Sequence, residues 1–177
     1  MPNNETAVIP VVRGLKQVEE RAMKKSIAVL IALGLFSFVV LSFAADRDDA
    51  KDLVKRAAAY VKYQGKEKAL AEISTPKGMF DKGELYVFAY DLQGVMLAHP
   101  KNPTLIGQNL IAVPDAEGKL FRKEIVEKAN SKGSGWVDYV YLNPETNRQE
   151  HKTTYIQKVG DIIICCGVYK DYSHEGD

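Results

Sequence analysis

The sequence is poor in the residues that most often carry metal binding and redox chemistry. It has two cysteines, adjacent at Cys165 and Cys166, and three histidines that lie far apart. Neighbouring cysteines in a strand point to opposite faces, and a ring between them is strained, so we expect two buried thiols rather than a disulfide. Because Cys-x-x-Cys-His and clustered histidines are both missing, neither covalent haem nor a metal site is indicated, and no cofactor is predicted.

Motifs of enzymes and of nucleic-acid-binding proteins are missing as well. There is no nucleophile elbow, no glycine loop to cradle a phosphate and no pair of carboxylates at a meaningful spacing. Residues 1–44 hold five basic and three acidic side chains, which leaves the rest of the chain close to neutral. A near-neutral domain lacks the positive surface that nucleic acid requires. We therefore expect neither an enzyme nor a nucleic-acid-binding protein.

A long apolar run is present near the start of the chain. Lys24 and Lys25 precede an uncharged stretch over residues 26–45, which ends in small side chains before a charged segment. This order of basic, apolar and small residues is typical of a secretory signal, with cleavage predicted after Ala44. A run of this length can also span a bilayer as a helix, so an uncleaved membrane anchor is the alternative.

Residues 1–22 form a mixed-charge extension that signal peptides rarely have. Val18-Glu19-Glu20 can be encoded with GGAGG a few bases before the codon of Met23, where a bacterial ribosome-binding site would lie. We therefore predict that translation starts at Met23, that residues 23–44 are the leader, and that residues 45–177 form one periplasmic domain.

The spacing of apolar residues predicts an α+β fold for this domain. Helical steps of three and four run from Asp46 to Gln64 and over Lys66–Ile73, and Lys119–Asn130 is predicted as a helix with Leu120 and Val126 inward. The predicted strands are Leu85–Tyr90, Val95–His99, Gly135–Leu142, Glu150–Val159 and Asp161–Tyr169. Hairpin-linked strands make the sheet antiparallel, and helices must cover its apolar face. The expected architecture is a PAS-like sheet of about five strands with a long N-terminal helix.

Several segments, in this order, resemble the core of a single Cache domain. They are Tyr86–Pro100, Leu105–Leu110, Gly135–Tyr139, Lys152–Tyr155 and Gly167–Tyr169. The resemblance runs from about Ala50 to Tyr172 and implies an extracytoplasmic sensor like those of chemoreceptors and histidine kinases. Many domains of that family bind small carboxylates or other small metabolites.

Receptor Cache domains usually lie between two membrane-spanning helices, with a signalling domain behind the second. No second apolar span follows Tyr172 in this sequence. We therefore expect a stand-alone exported sensor that binds a short organic acid and acts through a partner, a membrane histidine kinase or a chemoreceptor. The alternative is an interaction module that docks on such a partner without a ligand of its own.

His99 and Lys152 are the leading candidates for ligand contact. His99 ends a strand at the mouth of a loop, where its imidazole can donate to a carboxylate or can order the loop through a backbone carbonyl. Lys152 offers the positive charge that an anion requires, and a solvated lysine is the alternative. Strict alternation puts Lys152 and Tyr155 on opposite faces unless a bulge intervenes, so Tyr155 ranks lower.

Aromatic side chains complete the candidate site. They alternate along two predicted strands, as Tyr86, Phe88 and Tyr90 on one and Tyr139 and Tyr141 on the other. Such rings suit a small pocket for a polar ligand, although any one of them could be sheet core.

Two further residues have weaker predicted roles. Trp136 matches a position of the family pattern, and a structural role is favoured for it. Arg122 falls on the polar side of its helix and is predicted to be solvated.

Overall fold

The computed structural model describes residues 47–170, which lie within one compact unit over residues 45–177. The predicted extension at 1–22 and the predicted leader at 23–44 lie outside the described residues, so both stay predictions. Between residues 47 and 170, no helix combines the length and the apolar character needed to cross a membrane.

The predicted α+β fold, with helices on an antiparallel sheet, is confirmed. In chain order the elements are α1 over residues 47–64, α2 Lys66–Ile73, β1 Asp81–Lys82, β2 Leu85–Asp91, β3 Met96–Ala98, α3 Phe121–Lys132, β4 Ser134–Leu142, β5 Gln149–Val159 and β6 Ile162–Tyr169. The two-residue β1 and a 3-10 turn at Pro103–Leu105 are additions that no sequence pattern indicated.

The strands form one antiparallel sheet in the order β1-β2-β6-β5-β4, and β3 pairs with β2. The hairpin of β4 and β5 keeps one register from Ser134 opposite Gln157 to Leu142 opposite Gln149. Because no residue is inserted along this register, side chains on β5 alternate strictly between the two faces of the sheet.

Both faces of the sheet are covered. α1 presents Ala50, Leu53, Val54 and Ala57 to one face, at the three- and four-residue steps of an amphipathic helix. α3 and the loop before it cover the other face. Burial on both sides explains why β6 has a nearly continuous apolar sequence instead of an alternating one.

A short turn between β2 and β3 anchors the long loop that follows. The Asp91 carboxylate accepts hydrogen bonds from the backbone N–H groups of Gln93 and Val95, both at 2.8 Å. Gly94 has a φ of 84°, as predicted for the left-handed position of this turn. A Cβ at Gly94 would also lie 2.8 Å from Cβ of Ile111, so the loop packs directly against the turn.

The start of α3 differs from the prediction. Leu120, expected to point inward, precedes the helix and is 41% exposed, whereas Phe121 is buried. The buried stripe of α3 therefore runs through Phe121, Ile125, Val126 and Ala129. The helix thus begins two residues later than predicted, and Arg122 in its first turn is buried, as described below.

Candidate functional site

The sheet face beneath α3 carries aromatic and polar side chains from four strands. Lys152 on β5 lies opposite Tyr139 on β4 and Tyr169 on β6, and Thr154 lies opposite Gly167. Since side chains two residues apart share a face, β2 contributes Tyr86, Phe88 and Tyr90 to the same layer.

Eight residues of this layer and of the elements above it enclose a small cavity, here called the inner cavity. They are Tyr86, Phe88, Tyr90, His99, Phe121, Tyr139, Tyr141 and Lys152. The cavity volume is about 10 Å³, which is room for roughly one water molecule. Six of the eight predicted ligand-contact residues line it, namely Phe88, Tyr90, His99, Tyr139, Tyr141 and Lys152.

Lys152 is the most unusual residue of the inner cavity, because its side chain is only 1% exposed. Its Nζ donates to the hydroxyl of Tyr86 at 2.9 Å and to the hydroxyl of Tyr169 at 3.1 Å. The same Nζ lies 4.0 Å from the ring centroid of Tyr86 and 4.2 Å from that of Tyr169. The amine is thus held by neutral phenols and by aromatic faces.

None of the ion pairs found within residues 47–170 includes Lys152. Burial lowers the pKa of Lys152 to about 7. A buried ammonium without an acid partner is costly, and a titratable group with such a shifted pKa beside a cavity is a candidate for a functional site. The burial of Lys152 excludes the alternative that this lysine is solvated.

His99 is buried beside Lys152 and stacks on Phe88, with ring centroids 5.8 Å apart. Its Nδ1 accepts hydrogen bonds from the backbone N–H groups of Lys101 at 3.2 Å and Asn102 at 3.0 Å. These bonds assign the ring proton to Nε2. His99 therefore orders its loop, which was one of its two predicted roles. The imidazole does so by accepting from backbone N–H groups rather than by donating to a carbonyl.

The protonation state of His99 follows from the same surroundings. Burial, and then the nearby positive charges of Lys152 and Arg122, lower the pKa of His99 to about 3. The imidazole is thus neutral at physiological pH, and its Nε2–H is a hydrogen-bond donor at the cavity wall.

Arg122 is buried, so the prediction that it is solvated is wrong. It is 5% exposed, its Nε donates to the hydroxyl of Tyr90 at 3.1 Å, and its Nη1 donates to the carbonyl of Val113 at 3.2 Å. The guanidinium carbon lies 4.2 Å from the ring centroid of Phe121. The sequence held a signal for this position, because Arg122 lies four residues before Val126, which was correctly predicted to face inward.

Trp136 and Tyr155 are not brought to the inner cavity. Their ring centroids lie 5.2 Å apart on the opposite face of the sheet, within the cluster beneath α1. The physical reason is the uninterrupted register of β4 and β5, which keeps Tyr155 on the other side of the strand from Lys152.

The two cysteines occupy both faces, as their adjacency predicted. Cys165 lies on the cavity side and Cys166 on the α1 side, both fully buried and both free. Burial raises the pKa of each thiol, so neither is a reactive thiolate at neutral pH. Over the described part of the chain, no three His, Cys, Asp or Glu side chains are grouped so as to hold a metal ion.

The profile of the family Single Cache domain 2 matches residues 15–173 of the sequence. The chain belongs to this single Cache domain family. Cache domains of this family are sensor domains rather than enzymes, and they serve chemoreceptors. The resemblance noted in the strands and turns of the sequence is thereby confirmed.

One relative of this Cache domain is a chemotaxis protein. The chain is 29% identical over 161 residues to the methyl-accepting chemotaxis protein McpP of Pseudomonas putida. The matched region covers 82% of this chain and 30% of that protein. This Cache domain thus spans less than a third of that receptor's length.

Two solved structures are similar to the Cache domain. One, described as a periplasmic sensor domain of a chemotaxis protein, has 27% identity and a TM-score of 0.59, and covers 72% of this chain and 94% of that one. The other concerns carboxylic acid recognition by a Cache chemosensory domain. It has 28% identity and a TM-score of 0.65, and covers 73% of this chain and 96% of that one.

The contacts of Arg122 give a first prediction for this Cache domain. Arg122→Ala should lower the free energy of unfolding by about 1–3 kcal/mol, because it leaves the Tyr90 hydroxyl and the Val113 carbonyl without a buried charged donor. Urea denaturation measures this loss. The matched control is Lys123→Ala, whose side chain is 58% exposed and whose loss should change stability by less than about 0.5 kcal/mol. Equal effects of the two substitutions would show that Arg122 is solvated after all.

Proposed function

We propose that this Cache domain binds a short organic acid as its carboxylate in the inner cavity, with Lys152 as the ion-pair partner. One observation carries the proposal: a fully buried amine faces a cavity and has no acid partner among the described residues. A carboxylate beside Nζ supplies the missing negative charge, and buried ammonium groups are normally paired in this way.

The remaining groups of the inner cavity suit the two ends of such a ligand. Two N–H groups of Lys152 are used by Tyr86 and Tyr169, which leaves a third for a ligand oxygen. The Nε2–H of His99 is a second donor on the same wall. Phe88 and the stacked rings of Phe121 and Tyr139, 3.9 Å apart, offer apolar surface to the hydrocarbon part.

The volume of about 10 Å³ limits the ligand to a very small acid and requires the wall to move when it enters. An open depression of about 380 Å³ lies against this wall and shares Phe121 and Tyr141 with the inner cavity. Arg122 also lines the depression. We infer that the acid enters from the depression, past the cation of Arg122, and that these two rings move aside.

The similar Cache domain described for carboxylic acid recognition supports the class of ligand. The alternative function, a docking module without a ligand, calls for a wholly apolar interior. Lys152 and His99 both line the inner cavity, which favours ligand binding over that alternative. We further propose a periplasmic location and a role in chemotactic or kinase signalling through a membrane partner.

Titration of the full-length chain with acetate and propionate, followed by calorimetry and by the melting temperature, tests the ligand. We expect the free energy of unfolding to rise with the concentration of the acid, by about 2.7 kcal/mol when the acid is present at 100 times its Kd. Trp136→Phe, on the opposite sheet face, is the matched control and should bind like the parent chain. A melting temperature that no short carboxylate raises would contradict the proposed function.

A further inference from the structure

The hydroxyl groups around Lys152 form a chain of donors that ends on the backbone. The hydroxyl of Tyr169 donates to the carbonyl of Leu142 at 3.0 Å, and the hydroxyls of Tyr86 and Tyr169 lie 3.2 Å apart. With the Tyr169 proton directed at Leu142, the Tyr86 hydroxyl donates to Tyr169. Burial raises the pKa of both phenols, so neither becomes the phenolate that could pair with an ammonium at Lys152.

Within residues 47–170, the other elements packed around Lys152 place no carboxylate in contact with its amine. The titratable groups that face it are neutral at pH 7: the phenols of Tyr86, Tyr139, Tyr141 and Tyr169 and the thiol of Cys165. Cys166, on the far side of β6, is a neutral thiol too. His99 on the β3 side is neutral, and Arg122 on α3 is a second cation. Glu84, whose field reaches Lys152, is exposed to solvent in the segment between β1 and β2.

We propose that each carboxylate enters the inner cavity together with a proton, and that the amine of Lys152 receives this proton. The inference rests on the proposed function and adds its regulation by pH. Without a ligand, no acid within residues 47–170 pairs with an ammonium at Lys152, so the amine is largely unprotonated above neutral pH. A bound carboxylate provides the balancing charge, and the pair R–COO⁻ and Lys–NH₃⁺ forms from R–COO⁻, H⁺ and Lys–NH₂.

Lys152 is the proton acceptor rather than His99 for a geometric reason. Protonation of His99 requires a proton on Nδ1, which already accepts two backbone N–H bonds and would have to give up both. Nζ of Lys152 needs no rearrangement to accept a proton, because an ammonium still donates to both phenols. The domain therefore binds its carboxylate ligand more tightly at mildly acidic pH than at alkaline pH.

Calorimetry of the full-length chain with propionate measures the proton directly when it is run in a pair of buffers that titrate at the working pH, phosphate and MES near pH 6, EPPS and Tris near pH 8.5. The two buffers have different ionisation enthalpies, so the difference between their binding heats gives the number of protons taken up. We expect roughly no uptake near pH 6 and about one proton per propionate near pH 8.5. Over the same range the Kd should rise about tenfold per pH unit above neutrality.

Two variants identify the residue that takes up the proton. Lys152→Arg carries a guanidinium that stays protonated, so any propionate it binds should bring no proton. His99→Gln should bind propionate more weakly, because the Nε2–H donor is lost, but each propionate that it binds should still bring one proton. Binding by the parent chain without proton uptake near pH 8.5 overturns this inference alone, as does uptake that persists in Lys152→Arg.

A titration in which propionate produces no heat counts against the proposed function. The inference about Lys152 can then still be tested by a measurement without ligand. The ¹³Cε signal of Lys152, assigned by its absence in Lys152→Arg, is followed against pH by NMR. A midpoint near neutrality supports an amine that is free to take up a proton. A midpoint near the ordinary lysine value of about 10.4 overturns the inference.

Discussion

Replacing Lys152 with methionine is expected to weaken carboxylate binding strongly and, at the same time, to stabilise the ligand-free domain at neutral pH. Methionine has a similar length and fills the same space without a charge. Binding should weaken at least about 30-fold, because removal of the cation leaves the buried carboxylate unpaired. The gain in stability arises because the parent chain buries an amine whose protonated form finds no acid among the described residues.

The size and the pH dependence of this gain follow from the pKa. In the folded domain burial lowers the pKa of Lys152 from 10.5 to about 7. Between these values the unfolded chain binds a proton that the folded domain does not, so the unfolding free energy of the parent chain rises with pH in that window. Methionine lacks this contribution. Its advantage is therefore largest at and below pH 7 and disappears as the pH approaches 10.5.

Thermal or urea unfolding across this pH range checks the prediction. The full pKa change corresponds to roughly 3–5 kcal/mol, and the lost bonds to Tyr86 and Tyr169 offset about 1–3 kcal/mol of it. The matched control is Lys158→Met on the same strand, because Nζ of Lys158 donates to the exposed side chain of Asn130. A Lys152→Met variant that is less stable than the parent chain at every pH would contradict the prediction.

Gly167→Ala is expected to damage both stability and binding. A Cβ at Gly167 would lie 2.5 Å from Cε of Lys152 and closer still to Oγ1 of Thr154. Neither neighbour is free to move, since Thr154 Oγ1 is hydrogen-bonded to the Tyr139 hydroxyl at 2.8 Å and Lys152 is held by its two phenols. We expect a loss of about 1–3 kcal/mol in the free energy of unfolding and a weaker affinity for propionate.

A double variant separates the two overlaps. Thr154→Ala removes the hydroxyl that the new methyl group meets but leaves Lys152 in its way. The stability cost of Gly167→Ala should therefore be smaller in a Thr154→Ala background than in the parent chain. Propionate binding should stay weak in the double variant. If Gly167→Ala alone binds propionate like the parent chain, the Lys152 side chain does not need the space that the missing Cβ of Gly167 leaves, and the prediction is contradicted.

The elements of this domain could be predicted because each one repeats its own period. The steps of α1 at Ala50, Leu53, Val54 and Ala57 and the alternation along β2 are local patterns, and the structure keeps them. The separation of Lys152 from Tyr155 was also predictable, since a strand without a bulge places neighbours at odd spacing on opposite faces. The helix start was harder to predict, and an error of two residues there placed Leu120 inside.

What the sequence determined by itself was the family, the fold, and the alternation that places Lys152 and Tyr155 on opposite faces of their strand. Only the tertiary structure decided which groups meet on each face. It buried Arg122 against Tyr90, placed two phenols instead of an acid beside Lys152, and closed the cavity to about 10 Å³. Periodicity reports the direction of a side chain, but the pairing of a buried charge depends on residues far away in the chain.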